Sequence, residues 1–440
     1  MPRCPAWKRF PFSVSNVVRA AVVIAAAIPA VADDDYPREL QQLFDFTEDL
    51  AYSGQFQAAK KRFEEARDWI RQPVNQLMLR DEGFHWSAVK ANAEAFAGWI
   101  AAEHGYTRRA DVLLDGAIKQ LAGKIKYHEA LVRLWAGDLE LGLAMPRPRT
   151  FGIPKDLPAK VAQRLNASTL QRHFKAAAAE YAKATQVLLG NKERSGGKTA
   201  ARAEQGLGVC AMHEQDPGPD MTAAKRHFAN AERMFRSSDE FKSFLAPDVQ
   251  WPSSLKQVKR DLAANKDIVA ADKQAFESRY STTVIQWLRF LCDQCEFEVK
   301  DKGMDDGGAE RFFRMAADTC TENFGLENPF RFRVEVARGN YYLAKAVEAQ
   351  RRAAEAPPGP GKDRLVAAAK SYYQDAAFSA GEGLELMKGF GPHPLKFEAL
   401  LMELMAWDAG FPIRQRQRAE ILADLENWVD AEKNQAAPAN

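Results

Sequence analysis

Two short motifs have the residue types and spacing for chemistry. Cys292-Asp293-Gln294-Cys295 sets two thiols three residues apart, a spacing that can cycle redox state, ligate a metal or attach haem. Haem attachment is excluded because Glu296 stands where that chemistry needs histidine. Zinc would need two further ligands, and the sequence has no second such pair or closely spaced His/Cys pair, which leaves Cys210 and Cys320 as ligands if the fold brings them near. Trp287, Leu288, Phe290 and Leu291 surround the pair with apolar surface, so Cys210, Cys292, Cys295 and Cys320 are expected to be buried structural thiols. A structural disulfide in an oxidising compartment, or a redox-active pair, is the alternative. The second motif is Gly196-Gly197-Lys198-Thr199, which matches the end of a phosphate-binding loop. That loop requires glycine at the position held by Lys192 and follows a strand, whereas a helical segment precedes this one, so a solvated turn between helices is expected.

His85, His104, His128, His173, His213, His227 and His393 never pair at the three- or four-residue spacing of a helical metal site. No carboxylate pair stands out as acid and base, so no catalytic residue, cofactor or metal is assigned and an enzyme is not expected.

The elements that would position such groups are helices. Alanine, leucine, glutamate, lysine and arginine are abundant, runs of alternating β-branched residues are scarce, and no sheet is expected. Alanine, then a large residue four positions on, then alanine three further recurs at Ala59/Phe63/Ala66, Ala110/Leu114/Ala117, Ala177/Tyr181/Ala184, Ala224/Phe228/Ala231, Ala309/Phe313/Ala316 and Ala369/Tyr373/Ala376. Offsets of four and seven put all three side chains on one stripe, where alanines let a neighbouring helix approach and the large residue fills its groove. A further match, Ala337/Tyr341/Ala344, falls on what reads as a first helix of a pair.

Around the stripes, Leu43, Phe46, Leu50, Gly54 and Phe56 precede Ala59; Gly98 and Gly105 precede Ala110; and Leu207-Gly208 precedes Ala224. These segments resemble tetratricopeptide repeats, in which two antiparallel helices pair through a tight turn. The copies lie 51, 67, 47, 85 and 60 residues apart by subtraction, beyond the family's roughly 34-residue period. The resemblance therefore implies an irregular all-α solenoid with extra helices or long turns. It divides into pairs over 33–145, 159–240 and 241–390, a capping pair over 391–433 and a disordered tail over 434–440. It also implies a concave face lined by first helices, on which Gln41, Glu48, Asn92, Trp99, Arg202 and Gln205 would meet a protein or peptide partner.

Residues 1–32 have the make-up of a secretory signal. Lys8, Arg9 and Arg19 precede the apolar run Ala20–Ile28, and Ala30-Val31-Ala32 offers small residues for cleavage after Ala32. A periplasmic or secreted chain with no later membrane span is expected, in possible association with the cell envelope. The chain has 61 basic and 59 acidic residues; removing Arg3, Lys8, Arg9 and Arg19 leaves 57 against 59. Near neutrality gives no broad attraction to nucleic acid. The expected role is an exported protein–protein interaction scaffold, with a structural envelope component or an exported enzyme using Cys292/Cys295 as alternatives.

Overall fold

The computed structural model describes Leu40, Leu43, Thr47 and residues 56–81, 86–103, 105–122, 126–144, 154, 156–189, 197–214, 218–237, 270–302, 307–324, 331–411 and 416–435. The expected signal segment, Gln41, Glu48, the turn 190–196 and most of the 241–273 connector lie outside these residues.

The described residues are helical and contain no strand, so the chain is all-α. The helices are α1 (Phe56–Arg71), α2 (Pro73–Asp81), α3 (Trp86–Glu103), α4 (Thr107–Leu121), α5 (Lys126–Ala144), α6 (Ala159–Arg164), α7 (Ala167–Leu189), α8 (Lys198–His213), α9 (Met221–Ser237), α10 (Ala270–Lys302), α11 (Gly308–Phe324), α12 (Arg331–Glu355), α13 (Pro360–Leu386), α14 (Pro394–Asp408) and α15 (Arg418–Lys433). Local chemistry fixes several starts. Pro360 and Pro394 occupy first turns, where a missing N–H costs nothing. His393 Nδ1 accepts from Leu395 N at 3.2 Å, and Glu420 accepts the backbone N–H of Gln417 at 2.9 Å.

The alanine stripes lie on α1, α4, α7, α9, α11 and α13. Every alanine of the six copies is buried, as are Leu114, Tyr181, Phe228 and Tyr373, while Phe63 and Phe313 pack partly buried. Each of α4, α7, α9, α11 and α13 packs on a preceding longer-range partner: α3, α5, α8, α10 and α12 respectively. Small residues on those partners make room. A Cβ at Gly98 would sit 3.1 Å from Leu114, and one at Gly208 would sit 3.0 Å from the Phe228 ring. Tyr181 is held from two sides, since Cβ atoms at Gly137 and Gly206 would fall 2.7 and 2.4 Å from its ring. The further match Ala337/Tyr341/Ala344 is buried on α12.

Contacts among the first helices run from α3 to α5, α8, α10, α12 and α14, and then return from α14 to α5. The last pair, expected to cap one end, thus touches the early part of the chain as well. Val161 and Leu165 share an apolar cluster with Leu425, Trp428 and Phe397. Lys160 pairs with Asp430 at 2.6 Å and Arg164 with Glu432 at 3.1 Å. Gly105, with φ 89°, comes so near His393 that a Cβ would lie 2.6 Å from its backbone nitrogen. Within the tail expected to be disordered, Gln435 donates to Gly105 O at 2.8 Å and accepts from Arg108 N at 3.0 Å. Burial of the last pair therefore depends on residues some 300 positions earlier.

Candidate functional site

Where the first helices converge they leave a cavity of about 120 Å³. Its charged lining comes from separate helices: Glu103 ends α3, Asp138 lies in α5, Arg202 in α8, Arg289 and Asp293 in α10, and Arg333 in the first turn of α12. Apolar walls come from Trp99, Trp135, Leu139, Leu288 and Val336, and the start of α14 adds Pro394 and Leu395. Trp99 and Trp135 stack with ring centroids 5.6 Å apart and planes inclined by 22°, and Phe96 packs edge-on against both.

The six charged groups form one network. Arg289 and Arg333 reach the two oxygens of Glu103 at 2.6 and 2.5 Å. Arg202 Nη2 donates to Asp138 Oδ1 at 2.9 Å, and its Nη1 lies 3.6 Å from Asp293 Oδ2. Arg289 Nη1 stands 3.6 Å from Asp138 Oδ2. Two neutral donors join: the Tyr181 hydroxyl reaches Asp138 at 2.7 Å, and Gln205 Nε2 reaches Asp293 at 2.5 Å. The Tyr181 ring that fills the α5/α8 groove thereby also anchors a carboxylate of the site.

Burying charge is costly unless partners replace water. Burial pushes the Glu103 carboxyl upward, but Arg289 and Arg333 pull harder, and the net value lies well below the ordinary range near 4.5. Glu103 is thus held ionised and does not serve as a proton donor near neutrality. Burial and the neighbouring Arg289 lower the Arg333 value despite Glu103. Burial and Asp138 raise the Tyr181 hydroxyl well above its usual value, so it remains a neutral donor. Three cations and three anions are all engaged with one another. Such a lining suits recognition by fixed hydrogen bonds and charge better than it suits proton transfer.

Of the partner-facing residues expected from the sequence, Trp99 and Arg202 line the cavity. Gln205 stands just behind it, fully buried against Asp293. Asn92 is buried in α3, away from the cavity lining. The cysteines do not assemble into one site. Cys292 reaches the cavity wall, whereas Cys295 packs with Ala309 and Tyr341 and donates to Ala309 O at 3.2 Å. Among the described residues Cys210, Cys292, Cys295 and Cys320 are buried thiols outside any disulfide. Burial pushes the Cys210 thiol up strongly and the Cys320 thiol up to about 12, which denies both the thiolate that redox exchange needs. Thr199, the last residue of the phosphate-loop-like motif, is buried at the start of α8.

Histidines engage carboxylates across helices, His173 with Glu140 at 2.6 Å and His227 with Glu204 at 2.8 Å. Among the described residues no group of three His, Cys, Asp or Glu side chains is arranged to hold a metal ion. No helix among them is long and apolar enough to cross a membrane.

Glu103, Asp138, Arg289 and Arg333 belong to no motif, and Asp293 stands inside the Cys292-x-x-Cys295 motif without having been singled out by it. The available signal was a charge inside an apolar run: Arg289 within Trp287-Leu288-Arg289-Phe290-Leu291, and Arg333 within Phe332-Arg333-Val334. A helix that buries such a run must bury its charge or open a cavity beside it. No family model and no curated protein matches the chain.

Proposed function

We propose that the protein is an exported binding module that holds a peptide or the end of a protein partner in the cavity framed by the first helices. The observation that carries this reading is the convergence of Arg202, Arg289 and Arg333 with Glu103, Asp138 and Asp293 from helices far apart in sequence. Six charges around a void, four buried and two, Asp138 and Arg333, half-buried, add little to fold stability, because desolvation offsets most of their attraction. Prearranged donors and acceptors beside apolar walls are what a ligand site requires. Export rests on the composition of residues 1–32, and the tetratricopeptide resemblance supports a partner-binding role.

Gly142 offers a clean test. It lines the cavity, and a Cβ there meets only Pro394 Cγ at 3.6 Å, an ordinary contact. Gly142→Trp would plug the cavity while leaving all six charges in place. The full-length protein is purified by affinity tag from its native envelope fraction, and the mature N-terminus is sequenced. A start at Asp33 and a bound partner lost in Gly142→Trp are expected. An uncleaved leader contradicts export by this signal, and an unchanged set of bound proteins contradicts the cavity as the site.

A further inference from the structure

We propose that the cavity recognises the C-terminal carboxylate of a peptide, with Arg202 as its anchor. This rests on the binding role proposed above and adds the chemical class of the group bound.

Hydrogen-bond capacity points to a missing acceptor at Arg202. A guanidinium offers about five N–H donors, and the Tyr181 hydroxyl and Gln205 amide take acceptor sites on the two carboxylates that face it, Asp138 and Asp293. Arg202 is only 7% exposed, donates one hydrogen bond through Nη2, and makes none through Nε or Nη1. Nη1 is 3.6 Å from Asp293, close enough for attraction but too far for a hydrogen bond. A buried guanidinium with two of its nitrogens lacking acceptors is costly, and a carboxylate is the acceptor whose planar geometry fits it best.

The surroundings favour added negative charge beside the arginines. Arg202 and Arg289 both disfavour the charge on Arg333, so the cations crowd one another even with Glu103 between two of them. The first turn of α14, at Pro394 and Leu395, brings the positive end of a helix dipole to the same lining. The acids are already occupied: each Glu103 oxygen faces an arginine, and Asp138 Oδ1 takes both Arg202 and Tyr181.

Size selects an end group. A cavity of about 120 Å³ holds on the order of ten water-sized spaces, which suits one terminal residue and its carboxylate. Trp99, Leu139, Leu288 and Val336 would cover the apolar side chain of that residue. Asp138, Gly142, Arg333 and Leu395 keep partial contact with solvent and mark where the rest of a peptide would leave.

The test uses the full-length protein and a bead-bound peptide library synthesised in two forms, with a free C-terminal carboxylate and with a C-terminal amide. Free L-leucine serves as the small-molecule arm. Retention of free-acid peptides, with amidation weakening the best of them by about tenfold or more, is expected. Arg202→Lys, which keeps the charge but offers fewer donors, should erase most of that difference. Amidation leaves the protein untouched, so the answer does not depend on how well an Arg202 variant folds. Equal retention of both forms would overturn the carboxylate inference and leave peptide binding standing. Retention of neither form, with no binding of L-leucine, would overturn both. Binding of L-leucine without any peptide would overturn the peptide as the source of the carboxylate.

Discussion

The second helices and the first helices of the pairs bury opposite kinds of chemistry. On α4, α7, α9 and α13 the buried stripe is alanine, a large residue and alanine, with Leu114, Tyr181, Phe228 and Tyr373 seated between helices. On α3, α5, α8, α10 and α12 the buried surface includes Glu103, Arg202, Arg289 and Asp293, with Asp138 and Arg333 only slightly less covered. Apolar close packing stabilises through surface removed from water and dispersion contacts. A buried ion network gains specificity of geometry but little net stability. The contrast gives the stripes the larger share of fold stability and sets the inner charges apart as the basis of the binding role proposed above.

Breaking the stripe should have the largest effect. Tyr181→Ala removes a ring wedged against Gly137 and Gly206 and takes a hydrogen bond from Asp138. A loss of about 3–5 kcal/mol is expected from denaturant unfolding. A single cut in the ion network should cost about as much or somewhat less: Arg289→Ala leaves Glu103 buried with one partner, at roughly 3 kcal/mol. This loss measures a stranded charge and not the worth of the intact network.

Acid sharpens the same distinction. The Glu103 value is depressed in the folded protein, so its ion pairs stabilise in full above the ordinary value near 4.5. That stability is lost as pH falls from there toward the folded value. Unfolding free energy measured below pH 4.5 should fall less steeply in Glu103→Gln than in the wild type. Within the stripe, Ala231→Gly should cost about 1 kcal/mol through helix propensity and lost contact, read as a shift in the denaturant midpoint. The smallest effect belongs to the surface. Lys119→Ala, which breaks a pair to Asp115 with both side chains well exposed, should change stability by less than about 0.5 kcal/mol in the same assay.

The two regions also differ in how far the sequence discloses them. The stripe is local: four- and seven-residue offsets survive any rearrangement of the rest, and the small partners Gly98 and Gly208 were visible beside them. All-α architecture follows from the abundance of helix formers and the scarcity of alternating β-branched runs. The cavity is not local. Its charges run from Glu103 to Arg333 and become neighbours only when α10 and α12 come up against the end of α3. Trp99 and Arg202 were reached because the helix-pair alignment turned them toward the inner face. Arg289, Arg333, Asp138 and Glu103 were invisible as a set, since nothing in a spacing says which helix faces which. The return of α14 and α15 to α5 and α6 was hidden for the same reason: Lys160–Asp430 and Gln435–Gly105 join positions too distant for any motif. Conversely, Cys292-x-x-Cys295 was conspicuous in sequence, yet its two thiols serve different packing environments.

Replacing Glu103, Arg289, Arg333 and Asp138 together separates fold stability from the proposed binding most directly. The variant Glu103→Leu, Arg289→Met, Arg333→Leu, Asp138→Asn removes two cations and two anions, leaves Arg202 paired with Asp293, keeps an amide oxygen at position 138 for Tyr181 and Arg202, and exchanges the other ion pairs for apolar packing. Its unfolding free energy by denaturant titration should lie within about 1 kcal/mol of the wild type or above it, with binding of the partner lost. A loss of more than about 3 kcal/mol, comparable to breaking the Tyr181 wedge, would show instead that the inner charges hold the fold.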